Sequence, residues 1–205
     1  MNKCQHGLYA ITDTRITGDN LLKQVEKALI GGINILQYRD KSSSQKERFA
    51  AASALLQLCQ RYKVPLIIND DIQLAAEVGA NGVHLGRDDD VIQQARSQLG
   101  DQAIIGISCY NDLSVALAAE RAGADYVAFG RFFSSSTKPD ATPANLEILS
   151  QAKSKISLPL VAIGGITPEN GGQLIEAGAD MLAVVQGIFG QKDICNATKQ
   201  FQQLF

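Results

Sequence analysis

The chain has no apolar run approaching the roughly 20 residues of a membrane-spanning helix, and residues 1–7 lack the apolar core of a signal peptide. Surplus charge is also missing. Nineteen Lys and Arg against 21 Asp and Glu leave a formal charge of −2, so nucleic acid finds no electrostatic footing. The four cysteines, Cys4, Cys59, Cys109 and Cys195, form no C-x-x-C pair, which argues against a zinc or dithiol site. Reduced thiols in a cytoplasmic protein are the plain reading. The two histidines, His6 and His84, have no partner at helical or strand spacing, so neither suggests an imidazole metal site. His84 reads as a satisfied core or rim residue and His6 as solvent-facing. Finally, no G-x-G-x-x-G follows the first strand-like run; Ile11-Thr12-Asp13-Thr14-Arg15 stands there instead.

What is present is a repeat. A glycine, a small residue and an Asn or Asp precede a strand-like run four times. The phrase reads Gly31-Gly32-Ile33-Asn34, then Gly79-Ala80-Asn81, then Gly123-Ala124-Asp125, and last Gly178-Ala179-Asp180. The glycine can stop a helix in the left-handed conformation, and the polar step then launches a strand. Further strand-like runs cover 8–12, 65–69, 104–108 and 159–163, with helical stretches at 21–29, 47–62, 91–99 and 113–122. Eight strands alternating with helices predict a parallel α/β architecture. With no spare segment, they predict one closed (β/α)₈ barrel spanning 1–205. A doubly wound open sheet is the competitor, and its phosphate fingerprint is absent. At 205 residues the chain is short for a barrel of typically about 250, so its loops must be short.

In such a barrel the chemistry lies where strands end. Strand two ends in Gln37-Tyr38-Arg39-Asp40-Lys41. Alternation puts Ile35, Gln37 and Arg39 on one face, and Arg39 with Lys41 suits a phosphorylated ligand. A solvated charged turn is the plainer alternative. Strands three and four end in Asn69-Asp70-Asp71 and Gly86-Arg87-Asp88-Asp89-Asp90. Asp70 and Asp89 could share a hard cation such as Mg²⁺, whereas Asp71 and Asp88 resemble helix N-caps. Ser108 could donate to a ligand or cap the next helix. Cys109 reads as a packing residue, since no His can partner it. The longest loop, 131–139, is rich in hydroxyls and contains Lys138. Gly164-Gly165 after strand seven and Val185-Gln186-Gly187 after strand eight suit a phosphate cradled by backbone N–H groups. Together these strand ends describe two anion sites in one mouth, one for a monophosphate and one for a Mg²⁺-borne diphosphate.

These motifs, in this order, resemble the thiamine-phosphate synthase family along essentially the whole chain. The resemblance rests on Leu8-Tyr9-Ala10-Ile11-Thr12-Asp13, Gln37-Tyr38-Arg39-Asp40-Lys41, Ile68-Asn69-Asp70, Val83-His84-Leu85-Gly86, Thr137-Lys138 and Val161-Ala162-Ile163-Gly164-Gly165-Ile166. It implies a Mg²⁺-dependent transferase that joins hydroxymethylpyrimidine diphosphate to hydroxyethylthiazole phosphate and releases pyrophosphate by dissociative substitution. Gln37, Tyr38, Arg39, Asp40, Lys41, Asn69, Ser108 and Lys138 would hold the pyrimidine diphosphate. Arg39, Lys41 and Lys138 would be catalytic, and Asp70 and Asp89 would hold the metal. Ser135, Ser136, Thr137, Gly165, Val185 and Gln186 would hold the thiazole phosphate. The family usually has Thr at Ser135, often Pro at Arg131 and Ser134, and Ser at Gln186. Two small phosphorylated substrates are the implied partners.

Two rivals predict different chemistry. A thiazole tautomerase on the same scaffold would need a general acid or base and no diphosphate clamp. A non-catalytic sensor of phosphorylated ligands would not need paired metal carboxylates beside cations.

Overall fold

The computed structural model describes residues 6–86, 89–134 and 144–205, and of residues 89 and 90 the backbone alone. Its strands are β1 (Gly7–Ile11), β2 (Ile35–Tyr38), β3 (Leu66–Asn69), β4 (Gly82–Leu85), β5 (Ile104–Tyr110), β6 (Tyr126–Gly130), β7 (Leu160–Ile163) and β8 (Met181–Val184). They pair in parallel in sequence order, and β8 returns to β1 to close a barrel. Outside lie α1 (Thr14–Thr17), α2 (Leu21–Gly31), α3 (Gln45–Tyr62), α4 (Ile72–Val78), α5 (Asp89–Leu99) and α6 (Leu113–Ala122). The ring continues with α7 (Glu147–Lys153), α8 (Pro168–Glu176), α9 (Gln186–Phe189) and α10 (Ile194–Gln202). This is the (β/α)₈ architecture that the repeat predicts. Helices α1 and α9 are additions to the eight-unit pattern, and α10, the eighth of its helices, packs beside α2 and closes the ring.

Local chemistry sets the helix ends. Ser44 and Glu47 form a reciprocal capping box at α3. Asp71 caps α4 and Asp112 caps α6 through their carboxylates. Gly32, Gly79 and Gly123 close α2, α4 and α6 in the left-handed conformation.

Side chains alternate along each strand between two separate cores. Leu8, Leu36, Leu66 and Val127 point outward into the layer shared with the helices. Tyr9, Ile35, Ile67, Tyr126, Val161 and Met181 fill the barrel interior. Burying each such large apolar side chain contributes about 1.5–3 kcal/mol. Gly106 makes room for the largest of them, because a Cβ there would overlap the Tyr126 ring.

The polar residue of each repeat has a second task. Asn34, Asn81, Asp125 and Asp180 open or precede β2, β4, β6 and β8, and each reaches back to the preceding strand. Their side-chain oxygens accept from the backbone N–H of Leu8 (2.9 Å), Leu66 (2.9 Å), Ile105 (2.7 Å) and Leu160 (2.9 Å). Their own N–H groups donate to the carbonyls of the same four residues at 2.7–2.9 Å. Three of the clips are braced from outside, by Gln202 on Asn34 (3.0 Å), Arg96 on Asp125 (2.9 Å) and Lys153 on Asp180 (2.5 Å). The repeat thus binds the strands in pairs at their starting ends, opposite the mouth. Asn81→Ala should therefore cost about 1–3 kcal/mol, the cost of stranding a buried donor, with kcat and KM unchanged. Urea denaturation beside steady-state kinetics checks this, and a changed kcat would refute the separation of the two ends.

Candidate active site

A cavity of about 460 Å³ opens at the ends of the strands. A pocket of this size can take a small organic ligand. Gln37, Arg39, Lys41, Asn69, Asp70 and Ser108 line it from β2, β3 and β5, and Gly165, Val185 and Gln186 from β7 and β8. Nine of the residues singled out in the sequence thus meet in one space. Over the rim the cavity adjoins an open polar groove that shares Lys41, Asn69 and Asp70 and extends to Asp40, Arg48 and Asp71.

The cationic side is built on a buried carboxylate. Asp13, 2% exposed, accepts from Arg15 Nε at 3.0 Å and Nη2 at 2.7 Å, and from Arg39 Nη1 at 3.4 Å. Arg39 is further fixed through its backbone N–H, which donates to Thr12 Oγ1 at 3.0 Å. The Arg15 hydrogen bonds hold the Asp13 carboxyl below its usual range against the opposing effect of burial, with Arg39 helping. Lys41 is held differently. Its ammonium lies 3.6 Å from Asp70, and both side chains are more than half exposed, 61% and 55%. Such exposed pairs contribute about 0–1 kcal/mol, so an incoming phosphate can displace this one. Asp70 also accepts from Asn69 Nδ2 at 2.7 Å, and its backbone has φ +62°. For a residue other than glycine that left-handed conformation costs roughly 1–2 kcal/mol, and strain of this kind gathers at functional sites.

Tyr38 and Asp40 stand apart from this cavity. Tyr38 is 2% exposed and lies in the outer core. Its hydroxyl donates to Asp40 Oδ2 at 3.1 Å, and burial, then the Asp40 charge, push its ionisation up. Asp40 organises the turn after β2, accepting from the N–H of Ser42 (2.9 Å) and of Ser43 (3.1 Å). Burial opposes its ionisation, but the hydrogen bonds from Ser42, Ser43 and Tyr38 together lower its pKa to about 2. The second and fourth residues of the β2 motif therefore shape the turn that carries Arg39 and Lys41.

The cavity floor is polar. Gln37 Nε2 donates to the Tyr9 hydroxyl at 2.8 Å, and Tyr9 and Tyr126 share a hydrogen bond of 2.7 Å. The Tyr126 hydroxyl lies 2.9 Å from His84 Nδ1, and His84 Nε2 lies 2.9 Å from Ser108 Oγ. His84 is the satisfied rim residue that the sequence suggested. Of the two readings of Ser108, the cap is excluded, because Asp112 caps α6. Cys109 is buried, its Sγ 3.7 Å from the Ile107 carbonyl, and burial pushes its thiol up to about 12. It is a packing residue. His6 is exposed, as expected, and meets the Phe205 ring edge-on.

The glycine side serves packing as well as ligand approach. Gly164 and Gly165 have φ +109° and +63°. A Cβ on Gly164 would overlap Arg131, and one on Gly165 would overlap the Ser134 carbonyl. Val185 precedes the short helix α9, which begins at Gln186. The Gln186 amide lies over Gly190, where any Cβ would collide with it, so the long side chain is accommodated by the glycine four residues on. Ser135, Ser136, Thr137 and Lys138 lie outside the described residues, as do Asp88 and the side chain of Asp89.

Two residue sets escaped the sequence reading. Asp13 is one, because a single Asp after a strand is indistinguishable in sequence from a helix cap, which it also is, accepting from Arg15 N–H. Tyr9 and Tyr126 are the other set, since nothing in the sequence marks them off from core aromatics. The signal that could have found them is parity, since both share the inward face of their strands with Ile11 and Ala128.

A closed parallel barrel with cations, a strained carboxylate and a glycine pair at one mouth defines a barrel enzyme for phosphorylated ligands. Residues 8–188 match the family described as thiamine monophosphate synthase. The thiamine-phosphate synthase of Nitrosococcus oceani is 54% identical over 100% of this chain and 95% of its own. That of Marinobacter nauticus is 54% identical over 97% and 90%. Among solved structures, a thiamine phosphate pyrophosphorylase from Pyrococcus furiosus superposes with a TM-score of 0.88 at 34% identity, covering 99% of this chain and 96% of that one. The chain belongs to the thiamine monophosphate synthase family, and like its thiamine-phosphate synthase relatives it is a transferase.

Releasing the Asp13 clamp should be costly in a pH-dependent way. A carboxylate whose pKa is lowered on folding stabilises the fold above its unfolded value of about 3.9, and the gain is lost as pH falls through the folded value. Asp13→Asn should thus destabilise at pH 7 and lose that deficit toward pH 3, while kcat falls about tenfold as Arg39 swings free. Denaturation at both pH values with kinetics at pH 7 reads both effects. An unchanged kcat would show that Arg39 needs no clamp.

Proposed function

We propose that the chain condenses hydroxymethylpyrimidine diphosphate with hydroxyethylthiazole phosphate, giving thiamine monophosphate and pyrophosphate. It acts as one catalytic domain, residues 1–205, in the cytoplasm, on two small phosphorylated substrates. The observation that carries this reading is a single cavity with Arg39, Lys41 and Asp70 on one side and Gly164, Gly165 and Gln186 on another. A tautomerase needs only the second side. No helix among the described residues is long and apolar enough to cross a membrane.

The chain's own groups account for the main steps. Arg39, fixed by Asp13, binds the diphosphate in a preset orientation, and Lys41 exchanges Asp70 for phosphate oxygen. The carbon–oxygen bond breaks with its electron pair leaving on pyrophosphate, and the aminopyrimidine ring delocalises the methylene cation. The thiazole nitrogen then donates its lone pair to that carbon. Arg39, Lys41 and Lys138 meet charge that grows on the leaving group, so their contribution rises toward the transition state. The barrel holds both reactants in one orientation.

Asp70 suits Mg²⁺, since it is a half-exposed carboxylate at a strand end, engaged among the described residues by an amide and an easily displaced cation. Among the described residues no three His, Cys, Asp or Glu gather into a metal cluster. One or two carboxylates completed by substrate phosphate and water are the set this ion takes, with Asp89 as the second. Bound there, Mg²⁺ would neutralise diphosphate charge.

The deciding experiment is pyrophosphate release with both substrates, with and without Mg²⁺. Lys138→Ala should lower kcat by about 10²–10³ with little change in either KM. Asp89→Ala should require far more Mg²⁺ for half-maximal rate. Turnover of a thiazole phosphate without the diphosphate would establish the tautomerase, and binding of both ligands without turnover the sensor. For the monophosphate side, Gly165→Val is a poor probe, because its side chain would displace the 131–134 loop. Gln186→Ser leaves that packing alone and should change KM for the thiazole phosphate less than threefold, within about 0.6 kcal/mol.

A further inference from the structure

The row of hydrogen bonds beneath the cavity joins five side chains, Gln37, Tyr9, Tyr126, His84 and Ser108, in contacts of 2.7–2.9 Å. A row of this kind can be ordered in two directions. Each hydroxyl has one proton and a neutral imidazole carries its proton on one nitrogen, so the direction decides what the two ends offer. Gln37 and Ser108, the ends, line the cavity, as do Tyr9, 1% exposed, and the half-buried His84, whereas Tyr126 is fully buried.

We propose that the row is ordered from Gln37 to Ser108, so that His84 is held as its Nε2–H tautomer and Ser108 presents its hydroxyl hydrogen to the ligand. The order begins at Gln37, whose amide nitrogen can only donate. Tyr9, accepting there, donates to Tyr126. Tyr126 donates to His84 Nδ1, and His84 Nε2–H donates to Ser108 Oγ. The Ser108 proton is then the one left for the cavity. At the other end, the Gln37 amide gives one N–H to Tyr9 and keeps its carbonyl oxygen as an acceptor.

The two ends then match the two halves of one ligand class, a heterocycle with an exocyclic amino group and a phosphorylated arm. The carbonyl of Gln37 accepts from an amino group, and the hydroxyl of Ser108 donates to an anionic oxygen. The reverse order would have Ser108 spend its proton on His84 Nε2 and turn lone pairs toward the anion. Tyr126 is thus a positioning residue that acts on the ligand through Ser108, while Tyr9 and His84, which also border the cavity, fix which protons Gln37 and Ser108 present. Packing keeps the row aligned. The Tyr126 ring stacks on His84 with an interplanar angle of 18° and meets Tyr9 edge-on at 76°.

The ligand half of this inference rests on the proposed pyrimidine diphosphate site; the tautomer does not. The test therefore begins with the unliganded full chain, ¹⁵N-labelled, at about pH 8.5, two units above the ordinary imidazole value of about 6.5. With only His6 and His84 present, long-range ¹H–¹⁵N correlation assigns both rings directly. His84 should show a protonated Nε2 and a bare Nδ1. A proton on Nδ1, or a doubly protonated ring, overturns the proposal. Tyr126→Phe removes the donor to Nδ1 and should shift His84 toward a tautomer mixture; an unchanged spectrum also overturns it.

Kinetics test the link to Ser108. Tyr126→Phe and Ser108→Ala should each lower kcat/KM for the pyrimidine diphosphate by roughly tenfold to a hundredfold, the range for a hydrogen bond to a charged group. KM for the thiazole phosphate should hold. If Tyr126 acts through Ser108, the double variant is no worse than Ser108→Ala alone. Losses that multiply would show two independent roles and overturn the relay. Should the wild type release no pyrophosphate, the proposed reaction is what has failed, while the His84 spectrum still decides the order of the row.

Discussion

Polar groups inside a barrel must satisfy one another, because no bulk water reaches them and an unpaired one costs about 1–3 kcal/mol. The interior beneath the mouth meets that demand with one continuous row, Gln37 to Ser108 by way of two tyrosines and a histidine. The rest of the site depends on it. The row fixes Gln37 and Ser108 as the base of the cavity and allows a wet, charged mouth to stand directly above an apolar plug of Ile35, Ile67 and Met181. Gly106 belongs to the same arrangement, since its missing side chain is the space the Tyr126 ring occupies.

Above this floor the cations are held with unequal firmness. Asp13 is buried and grips the exposed Arg15 and the Arg39 guanidinium, which is only 17% exposed, so taking it away leaves the Arg39 charge uncompensated in a poorly solvated place. Asp70 and Lys41 are exposed and loosely matched. A rigid guanidinium suits an anion that must always arrive in one orientation. A loosely held ammonium and carboxylate suit groups that part, one to phosphate and the other to a cation. The structure thus combines a fixed part and an exchangeable part within one motif of five residues.

The architecture was legible because its signal is periodic. Glycine, a small residue and an Asn or Asp recur at strand starts, and each member has a local reason to be there, in a helix stop and in the backbone clips of Asn34, Asn81, Asp125 and Asp180. Nine of the singled-out residues meet in the cavity because strand ends converge in any closed barrel. Tyr38 and Asp40 were not separable by sequence, since a run of polar residues leaving a strand does not reveal which ones turn back to brace it. The row of tyrosines was hidden for a different reason. Tyr9 and Tyr126 are 117 residues apart, and only closure of the sheet brings their hydroxyls together.

The clips have a consequence for the history and malleability of the barrel. They join β1 to β2, β3 to β4, β5 to β6 and β7 to β8. Between those pairs, the starts of β2 and β6 are tied to the next strand by backbone bonds from the N–H groups of Leu36 and Val127 to the carbonyls of Pro65 and Pro159. The cylinder is thereby divided into quarters, each a two-strand module stapled within itself and joined to the next by the generic ladder. A chain organised in this way resembles one module copied four times. It offers natural seams between quarters, where a circular permutation or an exchange of modules with a relative would leave every staple whole. The staples sit at the closed end and the reacting groups at the open end, so such recombination could renew the mouth while the cylinder keeps its shape.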